Sequence, residues 1–122
     1  MTTEPAIASI DVTEAERRMR EDPNGPLLVD VREQYEFDAV RAPGAVLMPM
    51  SSLGTRISEL PTDRPLMMVC HMGGRSAAVT AFLARSGRTD VVNVAGGMEA
   101  WERQGLPVNR GTPGPGEGEL PA

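Results

Sequence analysis

The chain has 122 residues, 40% of them hydrophobic and 24% charged, with a net charge of −5. One domain of this length buries roughly two-thirds of its unfolded surface, and the acidic balance argues against partners that are nucleic acids or anionic membranes. A single cysteine and a single histidine exclude an intrachain disulfide, a cysteine-only or multi-histidine metal site, and an internal resolving thiol.

Residues 1–6 read as a loose N-terminal tail. They show no basic region followed by an apolar core, and no stretch of the chain is long enough to cross a membrane. The expected compartment is the cytoplasm, where a thiol stays reduced. Ile7 to Ile10 is a short strand candidate. A helix begins at Asp11 or Thr13; Thr13 and Glu16 have the spacing of a capping box. It runs to about Glu21 and stops before the turn Pro23-Asn24-Gly25-Pro26. Leu27 to Arg32 is the second strand, apolar without alternation, as a strand covered on both faces should be. Asp30 and Arg32 fall near its C-terminal end, where a charge pair reads as a structural brace for loops at the sheet edge. Glu33 to Asp38 is a short helix or turn, Arg41 to Ala45 a loop, and Val46-Leu47-Met48 a third strand.

Ser51-Ser52 offers a cap for a helix whose buried face would carry Leu53, Ile57 and Leu60. Pro61 ends it. Leu66 to Val69 is the fourth strand. A helix over about Arg75 to Arg85 follows, with Val79, Phe82 and Leu83 as its inner stripe and Gly87 just past its end. Asp90 to Val94 is the fifth strand. Gly96-Gly97 turns into a last helix, Met98 to Gln104, closed by Gly105 and Pro107. The eight methionines read as packing material. Residues 111–122 are Gly/Pro-rich and bury too little apolar surface to offset their ordering entropy, so they read as a disordered tail. The domain proper spans 7–110. Alternating strands and helices predict an α/β fold, a three-layer α/β/α sandwich around a five-stranded, mainly parallel sheet. Such sheets carry their sites at the carboxyl ends of the strands.

Cys70 stands at that position, between a buried strand and a helix start. Orphan N–H groups and the helix dipole favour an anion there, and a thiolate is an anion whose pKa such surroundings lower. Gly73 and Gly74 allow positive φ and close backbone approach, so successive N–H groups can curl around the sulfur. Arg75 offers a cationic fork for an oxyanion substrate. The bland alternative is that a lone cysteine is a small buried hydrophobe.

Four stretches together resemble the single-domain rhodanese-like sulfurtransferases, over about residues 7–108. Leu28-Val29-Asp30-Val31-Arg32-Glu33 with Tyr35-Glu36-Phe37 is similar to that family's "DVRE…EY" segment. Pro43-Gly44-Ala45 is similar to its "PGA" turn. Cys70-His71-Met72-Gly73-Gly74-Arg75-Ser76 matches the active loop Cys-x-x-Gly-x-Arg-Ser, and Gly96-Gly97 through Trp101 with Gly105-Leu106-Pro107 the closing "GG…W…GLP". One departure stands out: Val40-Arg41-Ala42 replaces the usual Gly-His-Ile before "PGA".

The resemblance implies that Cys70 takes a sulfane sulfur from a small-molecule donor such as thiosulfate and holds it as a persulfide. The sulfur then passes to a thiol, cyanide or protein-thiol acceptor. No cofactor and no metal are implied. Residues His71, Met72, Gly73, Gly74, Arg75 and Ser76 would form the substrate-binding loop, with His71 either facing substrate or a solvent-exposed bystander. Related cell-cycle phosphatases use Cys-x5-Arg. Here four residues separate Cys70 from Arg75, a ring suited to one sulfur atom rather than a phosphoryl group. The alternatives are a non-catalytic rhodanese-like binding module and, behind it, an arsenate reductase or phosphatase.

Overall fold

In the computed structural model, residues 7–121 are described; the N-terminal tail expected over 1–6 lies outside them. Five strands form one sheet in the order β1-β5-β4-β2-β3, where β1 is Ser9–Ile10, β2 Leu27–Asp30, β3 Val46–Leu47, β4 Leu66–Val69 and β5 Val91–Val94. All four pairings are parallel. The helices are α1 (Val12–Glu21), α2 (Gln34–Ala39), α3 (Leu53–Arg56), α4 (Gly74–Arg85) and α5 (Gly97–Arg103).

Side-chain alternation decides what each face of the sheet sees. In β2 and β4, Leu28, Met67 and Val69 point into one cluster with Val12, Ala15, Phe37, Met98 and Trp101. Leu27, Val29, Leu66 and Met68 point into the other, with Leu53, Val79 and Leu83. Both faces are dry, which is why Leu27 to Val29 and Leu66 to Val69 carry no polar residue. Each buried Leu or Met contributes about 1.5–3 kcal/mol. Cys70 continues the parity of Leu66 and Met68 and joins the second cluster. Its side chain is thereby committed to the α4 side of the sheet.

Several elements differ from the sequence reading for identifiable reasons. Asp11, not Thr13, caps α1: its carboxylate accepts the Glu14 N–H at 2.8 Å. β2 stops at Asp30 because the Asp30 carboxylate takes the Arg32 N–H at 3.0 Å and turns the chain. The helix expected from Ser52 to Leu60 breaks into a 3-10 turn, one α turn and a second 3-10 turn. Ser51, Ser52, Gly54 and Thr55 are poor helix formers, and the Ser51 hydroxyl donates to Glu33 at 2.7 Å instead of capping. Phe82 is 48% exposed, so the inner face of α4 is Val79, Thr80 and Leu83. That helix ends as expected at Gly87. The Arg88 N–H reaches the Leu83 carbonyl at 3.0 Å and the Gly87 N–H the Ala84 carbonyl at 3.1 Å, the paired bonds of a Schellman motif.

The largest correction concerns the Gly/Pro-rich tail. Residues 111–121, expected to be disordered, lie along the domain. Arg41, only 2% exposed, donates to both oxygens of Glu117 at 2.5 and 3.0 Å and to the Gly111 carbonyl at 2.6 Å. It also stacks over Phe37, 5.5 Å from the ring centre. The Leu47 N–H, on the outer edge of β3, donates to the Gly118 carbonyl at 2.7 Å. Composition missed this because most of the tail's ties are polar bonds, several of them converging on one guanidinium, with Leu120 adding its packing against the second core cluster. The residue responsible is the same Arg41 that departs from the family pattern.

Glu117 is held down to about 2 by the Arg41 guanidinium, with the Gly114 N–H and Asn109 amide adding to it. A carboxyl with a depressed pKa contributes its tie above its unfolded pKa and loses it as pH falls through the folded one. Limited proteolysis should therefore cut within 111–121 slowly at neutral pH and faster as pH drops from 4.5 toward 2. Glu117→Gln should give the fast cleavage at neutral pH; unchanged cleavage in that variant would show that the carboxylate does not hold the tail.

Candidate active site

The site forms where β4 ends and α4 begins. Gly73 caps α4 in the left-handed region, φ 108°, which an L side chain rarely adopts. Of the two loop glycines expected to allow it, only Gly73 uses positive φ; Gly74 does not. This turn brings the Gly73 N–H to 3.1 Å from the Cys70 sulfur. The Ser76 hydroxyl stands 3.3 Å from the same atom.

The loop carbonyls are drawn the other way. The first N–H groups of α5 take them: Met98 donates to Cys70 at 2.8 Å and Glu99 to His71 at 2.9 Å. With those oxygens turned onto α5, the amides of the loop are left facing the sulfur. Gly96 and Gly97 make this possible. Both have positive φ, 84° and 58°, and a Cβ on Gly97 would sit 2.5 Å from the His71 oxygen. The sequence showed this pair as a tight turn and as part of the closing motif; its role as the seat of the Cys70 loop comes from the fold.

Gly97→Ala should accordingly cost about 1–3 kcal/mol in backbone strain alone and push the loop off α5. Urea unfolding and the pH midpoint of Cys70 alkylation would both report it. The midpoint should rise toward that of an ordinary thiol. Normal values of both would mean that the seat is not needed.

Cys70 is 1% exposed. Burial pushes its thiol up, but the Ser76 hydroxyl and the N–H groups of Ser76, Gly73 and Met72 outweigh that, and the net shift is downward. The arrangement favours a sulfur anion.

Arg75 is placed differently from the sequence expectation. Its guanidinium is not a free fork: it binds Glu36 of α2 with two bonds, at 2.7 and 2.8 Å. Each charge reinforces the other. Glu36 is held down to about 2, chiefly by the Arg75 hydrogen bonds, and Arg75 is pushed further up. Glu36 also accepts the Glu33 N–H at 3.1 Å, closing a capping box that fixes α2. Glu36 sits inside the "EY" segment, but a partner 39 residues away leaves no mark in local spacing. His71 and Met72 are exposed at the rim, Met72 by 66%, and Tyr35 is 75% exposed beside Glu36.

Asp30 and Arg32 do not reach the sulfur. Asp30 is fully buried and Arg32 2% exposed. The guanidinium donates to the Asp30 carboxylate at 2.8–3.1 Å and to the Val40 carbonyl at 2.6 Å, tying the end of β2 to the end of α2. Sequence reasoning missed a third group, Asn93 of β5. Its side-chain oxygen lies 2.6 Å from the Ser76 hydroxyl. The available signal was a lone polar residue in an otherwise all-valine strand.

A family model for the Rhodanese-like domain matches residues 11–104, from the cap of α1 to the end of α5. The chain belongs to the rhodanese-like family. Among its relatives, a sulfurtransferase of Allochromatium vinosum is 36% identical over 102 residues, 84% of this chain and 94% of that protein. Thiosulfate sulfurtransferase GlpE of Actinobacillus succinogenes is 38% identical over 82 residues, 67% of this chain and 74% of that one. A rhodanese-related protein of Thermoplasma volcanium has a similar solved structure, with a TM-score of 0.72 at 29% identity, covering 84% of this chain and 97% of the other. The broad class these likenesses support for the rhodanese-like chain is sulfurtransferase. Among the described residues no helix is long and apolar enough to cross a membrane, and no cluster of His, Cys, Asp and Glu is arranged to hold a metal ion.

Proposed function

We propose that this rhodanese-like protein moves a sulfane sulfur from a donor such as thiosulfate to a thiol or cyanide through a persulfide on Cys70. One observation carries the reading: the Gly73 N–H and Ser76 hydroxyl converge on the Cys70 sulfur while the loop carbonyls are held away on α5. The Cys70 thiolate attacks the outer sulfur of thiosulfate. A sulfur–sulfur bond forms to Cys70, the bond to the sulfonate group breaks, and its electron pair leaves with sulfite. An acceptor thiolate or cyanide then attacks the outer sulfur, and Cys70 departs as a thiolate. The loop donors face negative charge throughout, which is where fixed dipoles help most. With no second cysteine in the chain, the acceptor comes from outside, and a reducing compartment such as the cytoplasm keeps the thiol available.

The Glu36–Arg75 pair bears on the donor. An anionic donor must share Arg75 with Glu36, so thiosulfate gains less from this guanidinium than from a free one. The test is intact mass spectrometry after incubation with thiosulfate. A gain of about 32 Da that a reductant removes is the persulfide expected from such loading. No gain, with thiosulfate and with a low-molecular-weight persulfide donor alike, would refute the proposal.

A further inference from the structure

Asn93 is 5% exposed in the middle of β5, paired in register with Met68 on one side and Ser9 on the other. Val91 of the same strand faces the second core cluster. Two residues on, Asn93 faces the same side of the sheet as Cys70. Burying a carboxamide among valines is costly unless it is hydrogen-bonded. Its partner is Ser76, which is completely buried.

The Ser76 oxygen has three neighbours: the Asn93 side-chain oxygen at 2.6 Å, the Cys70 sulfur at 3.3 Å and the Gly73 carbonyl at 3.3 Å. A hydroxyl has one proton to give. With the Asn93 oxygen forward, the shortest contact takes that proton, and Ser76 turns a lone pair to the sulfur. That suits a neutral S–H. The oxygen and nitrogen of a carboxamide are nearly the same size, so a half-turn of the Asn93 amide fits the same space. The Asn93 NH2 group then donates to Ser76, and the Ser76 proton is released to the sulfur. That suits a thiolate or a persulfide anion.

We propose that Asn93 is a positioning residue for the sulfur chemistry: its amide turns with the charge on Cys70 and sets whether the Ser76 hydroxyl gives or accepts a hydrogen bond at the sulfur. The proposal rests on Cys70 being the nucleophile, as in the reading above. The charged groups around the loop come in pairs, Arg75 with Glu36 from α2 and Arg32 with Asp30 from β2, with His71 and Tyr35 at the rim. β5 presents the uncharged Asn93, and the first N–H groups of α5 are used by loop carbonyls. Substituting Asn93 leaves all of these in place.

The experiment measures the pH dependence of Cys70 alkylation by iodoacetamide, which needs no sulfur donor and so stands whether or not the protein transfers sulfur. The ionised carboxylate of Asn93→Asp can only accept, so it should retain the Ser76 proton. The alkylation midpoint should rise by about one unit, lowering the rate about tenfold at pH values well below the wild-type midpoint. In a Ser76→Ala background the same substitution should shift the midpoint by less than half as much. An equal shift in both backgrounds would mean that only the added charge acts, and the proposal would fall; so would no shift with Ser76 present. A second measurement needs no Asn93 variant to fold. The side-chain amide 1H–15N signals of Asn93 should titrate with the alkylation midpoint in the wild-type protein and be flat across it in Ser76→Ala. Signals that ignore the Cys70 titration in the wild type overturn the proposal.

Discussion

Cys70→Ser is expected to leave a folded protein that takes up no sulfur. Serine is smaller than cysteine, and its hydroxyl meets the same partners: the Gly73 N–H, 3.1 Å from the native sulfur, and the Ser76 hydroxyl at 3.3 Å. A buried hydroxyl so placed keeps its hydrogen bonds, so stability changes little. The chemistry has no such substitute. The loop donors lower the pKa of the thiol, whereas an alcohol stays protonated under the same donors and cannot carry a sulfane sulfur. Thiocyanate formation from thiosulfate and cyanide should fall on the order of 10⁴-fold or more, as when a catalytic nucleophile is removed. The thiosulfate-dependent mass gain should vanish with it. Residual turnover near the wild-type rate would require another nucleophile, in a chain that has no other thiol.

Breaking the Asp30–Arg32 pair is expected to be the most damaging change to stability. Both residues are almost wholly buried, and the guanidinium spans three acceptor atoms, two on Asp30 and the Val40 carbonyl. Asp30→Asn or Arg32→Ala leaves one charge buried without its partner, which costs about 3–5 kcal/mol and should lower the melting temperature by about 10–20 °C. Arg32→Lys should recover only part of this, because an ammonium cannot reproduce the planar fork. The double variant Asp30→Leu with Arg32→Met should be less harmful than either single loss, since no charge is then stranded. Thermal unfolding of the four proteins checks this. Single variants within 1 kcal/mol of wild type would remove the brace from the account.

The two pairs at the carboxyl end of the sheet act on the same helix. Arg32 holds the end of α2 through Val40, and Glu36 in its middle holds Arg75 of the active loop. Arg41, just beyond α2, bonds the Phe37 and Asp38 carbonyls at 3.2 and 3.3 Å and carries the C-terminal strap. One six-residue helix is thus fixed from three directions, and it supplies the only carboxylate bonded to Arg75 among the described residues.

What the residues alone determined was the layered α/β frame and the place of the chain's one thiol. Uninterrupted apolar runs at Leu27 to Val29 and Leu66 to Val69 can be satisfied only between two helical layers. The step from Val69 to Cys70-x-x-Gly then puts a thiol at a helix start. These are local signals, carried by side-chain parity and by glycine. What only the tertiary structure decided was the set of partners that tune the site. Glu36 beside Arg75, Asn93 behind Ser76, α5 beneath the loop carbonyls and the tail against Arg41 all join residues between 17 and 76 positions apart. Such pairs leave no periodicity to read, because a hydrogen bond depends on two atoms meeting in space and not on their spacing along the chain.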